Sequence, residues 1–342
     1  MTTRENGGAA RTLVLAALAV ACALPLAAQE WTGSVGAAYT WQSVSGSEQS
    51  FRSQSNLQEG FTLEDLTLVS KDAHGNRRFT LQAWGFGTAE PTQHATLGLA
   101  LGADWSIALR YDRRESFFGL AGGDFSARGD DWRITRWNGK ITWDGWSAVR
   151  VSLNLRRVDR GGDVQRTFYG LGEQYPGRVA LDETMDEATL RLETKTLPVH
   201  LTLEQSVASY ERRNRWSPDG GTNIDGNDPD LLTDLGTTYR DKQDVPTTVA
   251  TASYASAAVA VSARVLWSSA DLDTTGAGWQ EFAIGGGPVG TVRFVDDVVG
   301  SASMDTLAGG IDLAVALGRG WRVNLRSSYR DASSDSACSG NG

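Results

Sequence analysis

Strict two-residue alternation constrains this chain more than any other feature. In LGADWSIALRYDR (101–113), Trp105, Ile107, Leu109 and Tyr111 fall on one side; Ser106, Ala108, Arg110 and Asp112 fall on the other. LGRGWRVNLRSSYRD (317–331) repeats the phrase, with Trp321, Val323 and Leu325 set against Arg322, Asn324 and Arg326. Successive side chains of a β-strand point to opposite faces, so period two means strand. The same alternation runs through 149–156 and 259–267, and through the stretch opening at Trp31. Such strands build a sheet with one apolar and one polar face.

The connectors decide which kind of sheet. Short turns are expected near 72–77, 102–104, 144–146, 195–198, 255–258 and 318–320. Long polar loops are expected over 45–59, 113–131, 159–186, 211–245 and 269–302, with one shorter connector near 89–92. No helical periodicity follows residue 29. The reading gives about thirteen strands: an opening strand and then short-turn hairpins. A soluble sandwich has no reason to keep short turns at one end and long loops at the other. A barrel threaded through an outer membrane does. The expected fold is therefore all-β, a transmembrane antiparallel up-and-down β-barrel with short periplasmic turns and long extracellular loops. Trp31, Trp105, Trp146 and Trp321 would sit at the inner membrane boundary, where an indole keeps its N–H wet and its ring in the apolar edge. Trp146 is out of phase with Val149–Leu155 and belongs to a turn or bulge. Tyr111 and Tyr210 would mark the outer boundary.

The N-terminus fits export. Arg4 and Arg11 precede the apolar stretch LVLAALAVACALPL (13–26), too short to span a bilayer, and LAA leads to Gln29. Residues 1–28 read as a signal peptide cleaved after Ala28, and 29–342 as the barrel domain. A lipoprotein reading through Cys22 is disfavoured, because Ala19 stands where a lipobox prefers Leu. The chain is acidic, with net charge -9, which argues against nucleic acid as a partner. Cleavage would leave Cys338 as the sole thiol, so no intrachain disulfide and no CxxCH haem attachment are possible.

Candidate chemistry is sparse. Arg110, Arg150, Arg156, Arg191, Glu193, Glu204, Arg322 and Arg326 are expected to face a lumen, where the bland explanation is a watered, ion-paired interior. Their signs are mixed, so no ion selectivity is read from them. His94 and His200 lie on polar faces beside Thr96, Thr202 and Glu204. No Ser-His-carboxylate grouping can be assembled from the sequence, so no enzyme, metal site or bound cofactor is expected. DGGTNIDGNDPD (219–230) fails as an EF-hand, because Leu232 would stand at the bidentate acid; it reads as an external loop. YDRRES (111–116) and YERRNR (210–215) would place arginines where strands leave the membrane, facing outer-membrane lipid and lipopolysaccharide phosphates or simply the rim.

GSVGAAYTWQSVSGSEQSFRSQSNLQEGFTLEDLTL (33–68), LQAWGFG (81–87), the GADW turn and YDRRESFF (111–118) resemble the MtrB/PioB family of outer-membrane β-barrels. The likeness covers about residues 30–120 and beyond that extends only to the barrel pattern. It implies a barrel that sheathes a periplasmic multihaem c-type cytochrome, with electrons crossing through haems that the partner supplies. Two departures stand out: the chain has no CxxC near its mature N-terminus, and the family's barrels are about twice as long. The expected function is thus a sheath in trans-outer-membrane electron transfer; the alternative is a passive porin or substrate channel. Bacterial barrels have even strand numbers, and this chain ends SSDSACSGNG without a final aromatic. It is accordingly expected to be the N-terminal part of a longer reading frame.

Overall fold

A computed structural model describes residues 29–45, 48–72, 77–119, 129–170, 173–218, 230–286, 291–318 and 321–341. The expected signal peptide (1–28), the Asp/Asn/Gly-rich stretch 219–229 and the turn centres 73–76 and 319–320 lie outside these residues. The strands are β1 (Gln29–Thr40), β2 (Gly60–Asp72), β3 (Arg77–Trp84), β4 (Phe86–Gly87), β5 (Thr92–Leu101), β6 (Trp105–Gly119) and β7 (Gly129–Trp143). They continue with β8 (Val149–Gly170), β9 (Glu173–Thr194), β10 (Val199–Pro218), β11 (Leu231–Ala255), β12 (Val259–Ala283), β13 (Thr291–Gly318) and β14 (Trp321–Asn341). One helix, α1 (Glu48–Ser55), precedes β2.

Every ladder is antiparallel, and each strand pairs with its neighbour in sequence; only β4 steps off the path to pair with β2. The result is a single up-and-down meander. Among the described residues β1 and β14 share no ladder, so the sheet is open. The expected short turns join β5 to β6, β7 to β8, β9 to β10 and β11 to β12. Gly102, with φ 66°, starts the first of these in a conformation that favours glycine.

Register carries the two faces across the whole sheet, because residues directly opposite in an antiparallel ladder share a face. Leu109 lies opposite Leu97 and Gly139, and the row runs on through Leu155, Ala188 and Val207. Arg110 lies opposite Thr96 and Asn138, and its row runs on through Arg156, Glu187 and Ala208. The apolar stretch covers Val149 to Leu155 on β8 and Val259 to Trp267 on β12. At about 3.3 Å per residue that is roughly 20–26 Å of strand. Beyond it the same face turns charged, at Arg157, Asp186, Asp271, Asp305 and Asp331.

The two halves of the sheet treat the apolar face differently. On β8–β13 it is bare: Leu155 and Leu203 are each 46% exposed and Val265 50%. On β9 and β10 the polar residues Glu187, Thr189, Arg191, Glu204 and Ser206 are more sheltered than Ala188, Leu190, Leu203 and Val207 beside them. No described element lies over them, so this part of the sheet curves toward its polar face. At the β2–β6 end the apolar face packs on itself. Phe79 and Leu81 are buried among Trp31, Leu66, Leu68, Leu97 and Leu99. Tyr111, Ala83 and Ala95 are buried against Leu63, Leu66, Phe86 and Trp137.

Two expectations are corrected. The long polar connectors are mostly not loops. β8 continues to Gly170 and β9 starts at Glu173, while β12 continues to Ala283 and β13 starts at Thr291. Ladder hydrogen bonds need backbone alone, and past the apolar band the outward face turns charged, so the pattern that marks the band is lost while the strand continues. The 45–59 connector holds α1, where no helix was expected. The helix has no apolar stripe to announce it. It is held from outside, by Arg52 stacked 4.1 Å over the Phe117 ring and by Asn56 Nδ2 donating to the Glu115 carbonyl at 3.1 Å. Asn56 closes it with φ 47°, its backbone N–H donating a hydrogen bond to the Arg52 carbonyl at 2.8 Å.

A second core lies on the extended ends of β8–β12. Tyr175, Leu232, Leu235 and Phe282 are buried together, with Phe168 and Trp216 packed against them. Register places these residues on the continuation of the polar face.

Candidate functional site

The polar face is the chemically differentiated surface. All eight charged residues singled out in the sequence share it: Arg110, Arg150, Arg156, Arg191, Glu193, Glu204, Arg322 and Arg326. Each is set there by alternation from an apolar neighbour one position away, and the ladders bring them together in pairs. Arg191 lies 3.1 Å from Glu204 and 3.5 Å from Glu193, and Glu193 also meets His200 Nε2 at 2.8 Å. Arg156 reaches Glu187 at 3.8 Å, and Arg326 reaches Asp312 at 2.5 Å. Arg110 meets Asp112 at 2.6 Å. His94 shares that carboxylate at 2.7 Å and stacks on Trp84, ring centres 5.5 Å apart. Arg322 forms no ion pair among the described residues. Between these charges runs a row of small neutral groups: Asn154, Thr189, Ser206, Thr247, Ser268 and Thr306.

Sequence reasoning passed over the carboxylates Asp144, Glu187 and Asp312 and the cations Lys140, Arg264 and Arg330. Asp144 apart, they lie in phase with the eight, so alternation alone could have found them. Asp144 sits in the β7–β8 turn, where Arg150 (2.9 Å) and Lys195 (3.2 Å) converge on it. The Arg150 hydrogen bond, helped by Lys195, holds the Asp144 carboxyl below its usual range. A depressed folded value means stabilisation that is present above the ordinary carboxylate range and lost as pH falls through the folded value. Asp144→Asn is therefore expected to cost about 0.5–1 kcal/mol at neutral pH, the scale of a partly exposed pair. The difference should close in acid, read by urea unfolding in lipid at each pH.

The aromatic positions divide. Trp105 stands at the short-turn end opposite Trp143, and Trp146 lies in the adjoining turn, edge-on to Trp143 at 4.5 Å. Both Trp105 and Trp146 are exposed, as is Trp321 beside its own turn. Trp31 is one row further in, opposite Ser70, and packs on Phe79 at 5.8 Å. Tyr111 has the right height and face but is 4% exposed, covered by Phe86 and Trp137, so it serves packing rather than an open boundary. Tyr210 belongs to the opposite face from Leu203 and Val207, because its parity matches Glu204 and Arg212. It does not join an aromatic belt on the apolar side.

Past the apolar band, YERRNR splits by parity. Arg213 and Arg215 emerge on the apolar side, where Glu211 bridges Arg213 and Arg240 at 2.7 Å each. Those two arginines, Arg213 first, hold the Glu211 carboxyl below its usual range. Arg212 turns to the polar face and binds Asp241, which also accepts from Thr274 at 2.9 Å. Among the described residues no group of three or more His, Cys, Asp and Glu is arranged to hold a metal. Among those residues no helix is long and apolar enough to cross a membrane.

No family model and no curated protein matches the chain. Among solved structures, the chain is similar to the ferric yersiniabactin uptake receptor FyuA from Yersinia pestis. The TM-score is 0.45 and the identity 9%, over 81% of this chain and 60% of the receptor's. The chain thus spans about three fifths of that receptor's length.

Proposed function

We propose that the chain forms the wall of an outer-membrane β-barrel, with its apolar face toward lipid and its polar face lining a conduit. The observation that carries this is the reversed exposure on β8–β13, where apolar side chains are bare and polar ones sheltered. Each buried Leu or Val is worth about 1.5–3 kcal/mol once removed from water, and contiguous bare patches of this extent mark an interaction or membrane surface. With strands tilted about 40°, 20–26 Å of apolar strand stands roughly 15–20 Å tall, somewhat short of but comparable to the roughly 25 Å apolar belt of outer-membrane barrels. Backbone groups in lipid must be paired within the protein, which continuous ladders achieve.

The conduit reading gives a polar passage for a solute. The likeness over residues 30–120 favours a second reading, in which the wall sheathes a periplasmic multihaem cytochrome. Expression with a cleavable export signal tests both. Recovery in the outer-membrane fraction, resistant to urea extraction and migrating differently before and after boiling, is the expected result. A soluble periplasmic product would overturn the wall itself. Haem-stained protein retained with the barrel after detergent pull-down would select the sheath; a haem-free barrel that conducts ions would select the passage.

A further inference from the structure

We infer that the passage selects small anions. The inference rests on the conduit reading and on how charges pair on the polar face. On β6–β14, within the height of the apolar band, each polar-face carboxylate already has a cation: Glu187, Glu193, Glu204 and Asp312 are matched by Arg156, Arg191 and Arg326. Lys140, Arg264, Arg322 and Arg330 are left over, with no ion pair among the described residues.

Their surroundings explain why no partner reaches them. Lys140 lies between Ala108 and Asn154, and Arg264 between Thr251 and Gly310. Arg322 lies opposite Ala316 and Arg330 opposite Ala308. A cation flanked by small uncharged neighbours keeps its charge projecting from the wall. These four stand on three strands, Lys140 on β7, Arg264 on β12 and both Arg322 and Arg330 on β14, so the field is shared by separate parts of the polar face. The chain's acidic surplus lies elsewhere: past the band Asp186, Asp271, Asp305 and Asp331 crowd the other face. A protein of net charge -9 therefore presents a locally basic lining. Lys and Arg lining a pore favour anions, and low-dielectric walls focus their field.

The test is the reversal potential of the whole chain in planar lipid bilayers under a potassium chloride gradient. Chloride is expected to permeate several-fold better than potassium in dilute salt. The preference should weaken near 1 M, where the screening length falls to about 3 Å. The combined substitution Lys140→Gln, Arg264→Gln and Arg330→Gln should move the reversal potential toward zero while the conductance persists. Thr202→Gln, on the same face but uncharged, should leave it in place. A cation-selective or unselective pore would overturn the inference, as would a protein that inserts but passes no ions. Failure to reach the membrane at all, read by fractionation, would instead overturn the barrel wall on which it rests.

Discussion

Leu203→Arg is expected to destabilise the membrane-inserted protein by about 2–4 kcal/mol, the cost of an arginine on the lipid face near the bilayer midplane. Thr202→Arg, one residue away, should change stability by no more than about 0.5 kcal/mol. Leu203 is the central outward position of β10, between Val199 and Val207, and its cross-strand neighbours are Leu192 and Ala250. A guanidinium there would have neither water nor a carboxylate. Thr202 lies on the other face opposite Glu193 and Thr251, where an added arginine would find both. Urea titration of tryptophan fluorescence in lipid bilayers measures the two variants side by side. Equal costs would show that the apolar face does not meet lipid, and the larger cost at Thr202 would invert the wall.

That contrast is legible in the sequence because period two assigns a face to every residue once one is placed. Strand count, order of pairing, short turns and the common face of the eight charged residues all follow from it. What the sequence hides follows from the same rule. Past Leu155 or Trp267 no alternation remains, and segments such as DRGGDVQR look like loops. Gly162, with φ 145°, shows why such a segment still pairs: an added Cβ would collide with the Asp131 carbonyl across the ladder. The glycine is there to let two backbones approach, not to end a strand. Tyr210 misleads for a related reason. Its position before an arginine run suggests a boundary, but a boundary residue also needs the correct parity, and residue 210 shares the parity of Glu204. The pairing of individual charges depends on register between strands and on side-chain reach, so neither the satisfied carboxylates nor the four unmatched cations can be picked out from one strand at a time.

Phe282→Ala is the other substitution with a large expected effect, and it acts on the extended hairpins alone. Phe282 is fully buried opposite Leu232, with its ring 5.3 Å from that of Tyr175. Removing a buried aromatic side chain costs about 3–5 kcal/mol. The loss falls on a cluster fed by β8, β9, β10, β11 and β12, well past the apolar band. Local opening of these strand ends should therefore become roughly 10²–10⁴ times more frequent. Tyr169→Ala is the control, since Tyr169 is one residue from Phe168 but 69% exposed, and its rate should stay near that of the parent. Limited proteolysis of the lipid-inserted protein reads both. Faster cleavage at the hairpin ends in Phe282→Ala, with an unchanged lipid-protected core, is expected. Equal cleavage in the two variants would mean that the cluster does not hold the hairpins together. Because the cluster lies on the continuation of the polar face, under the proposed conduit its integrity would set how rigidly the strand ends stand around the mouth. Phe282→Ala should thus raise current noise without shifting the reversal potential, since Lys140, Arg264, Arg322 and Arg330 all lie within the band below.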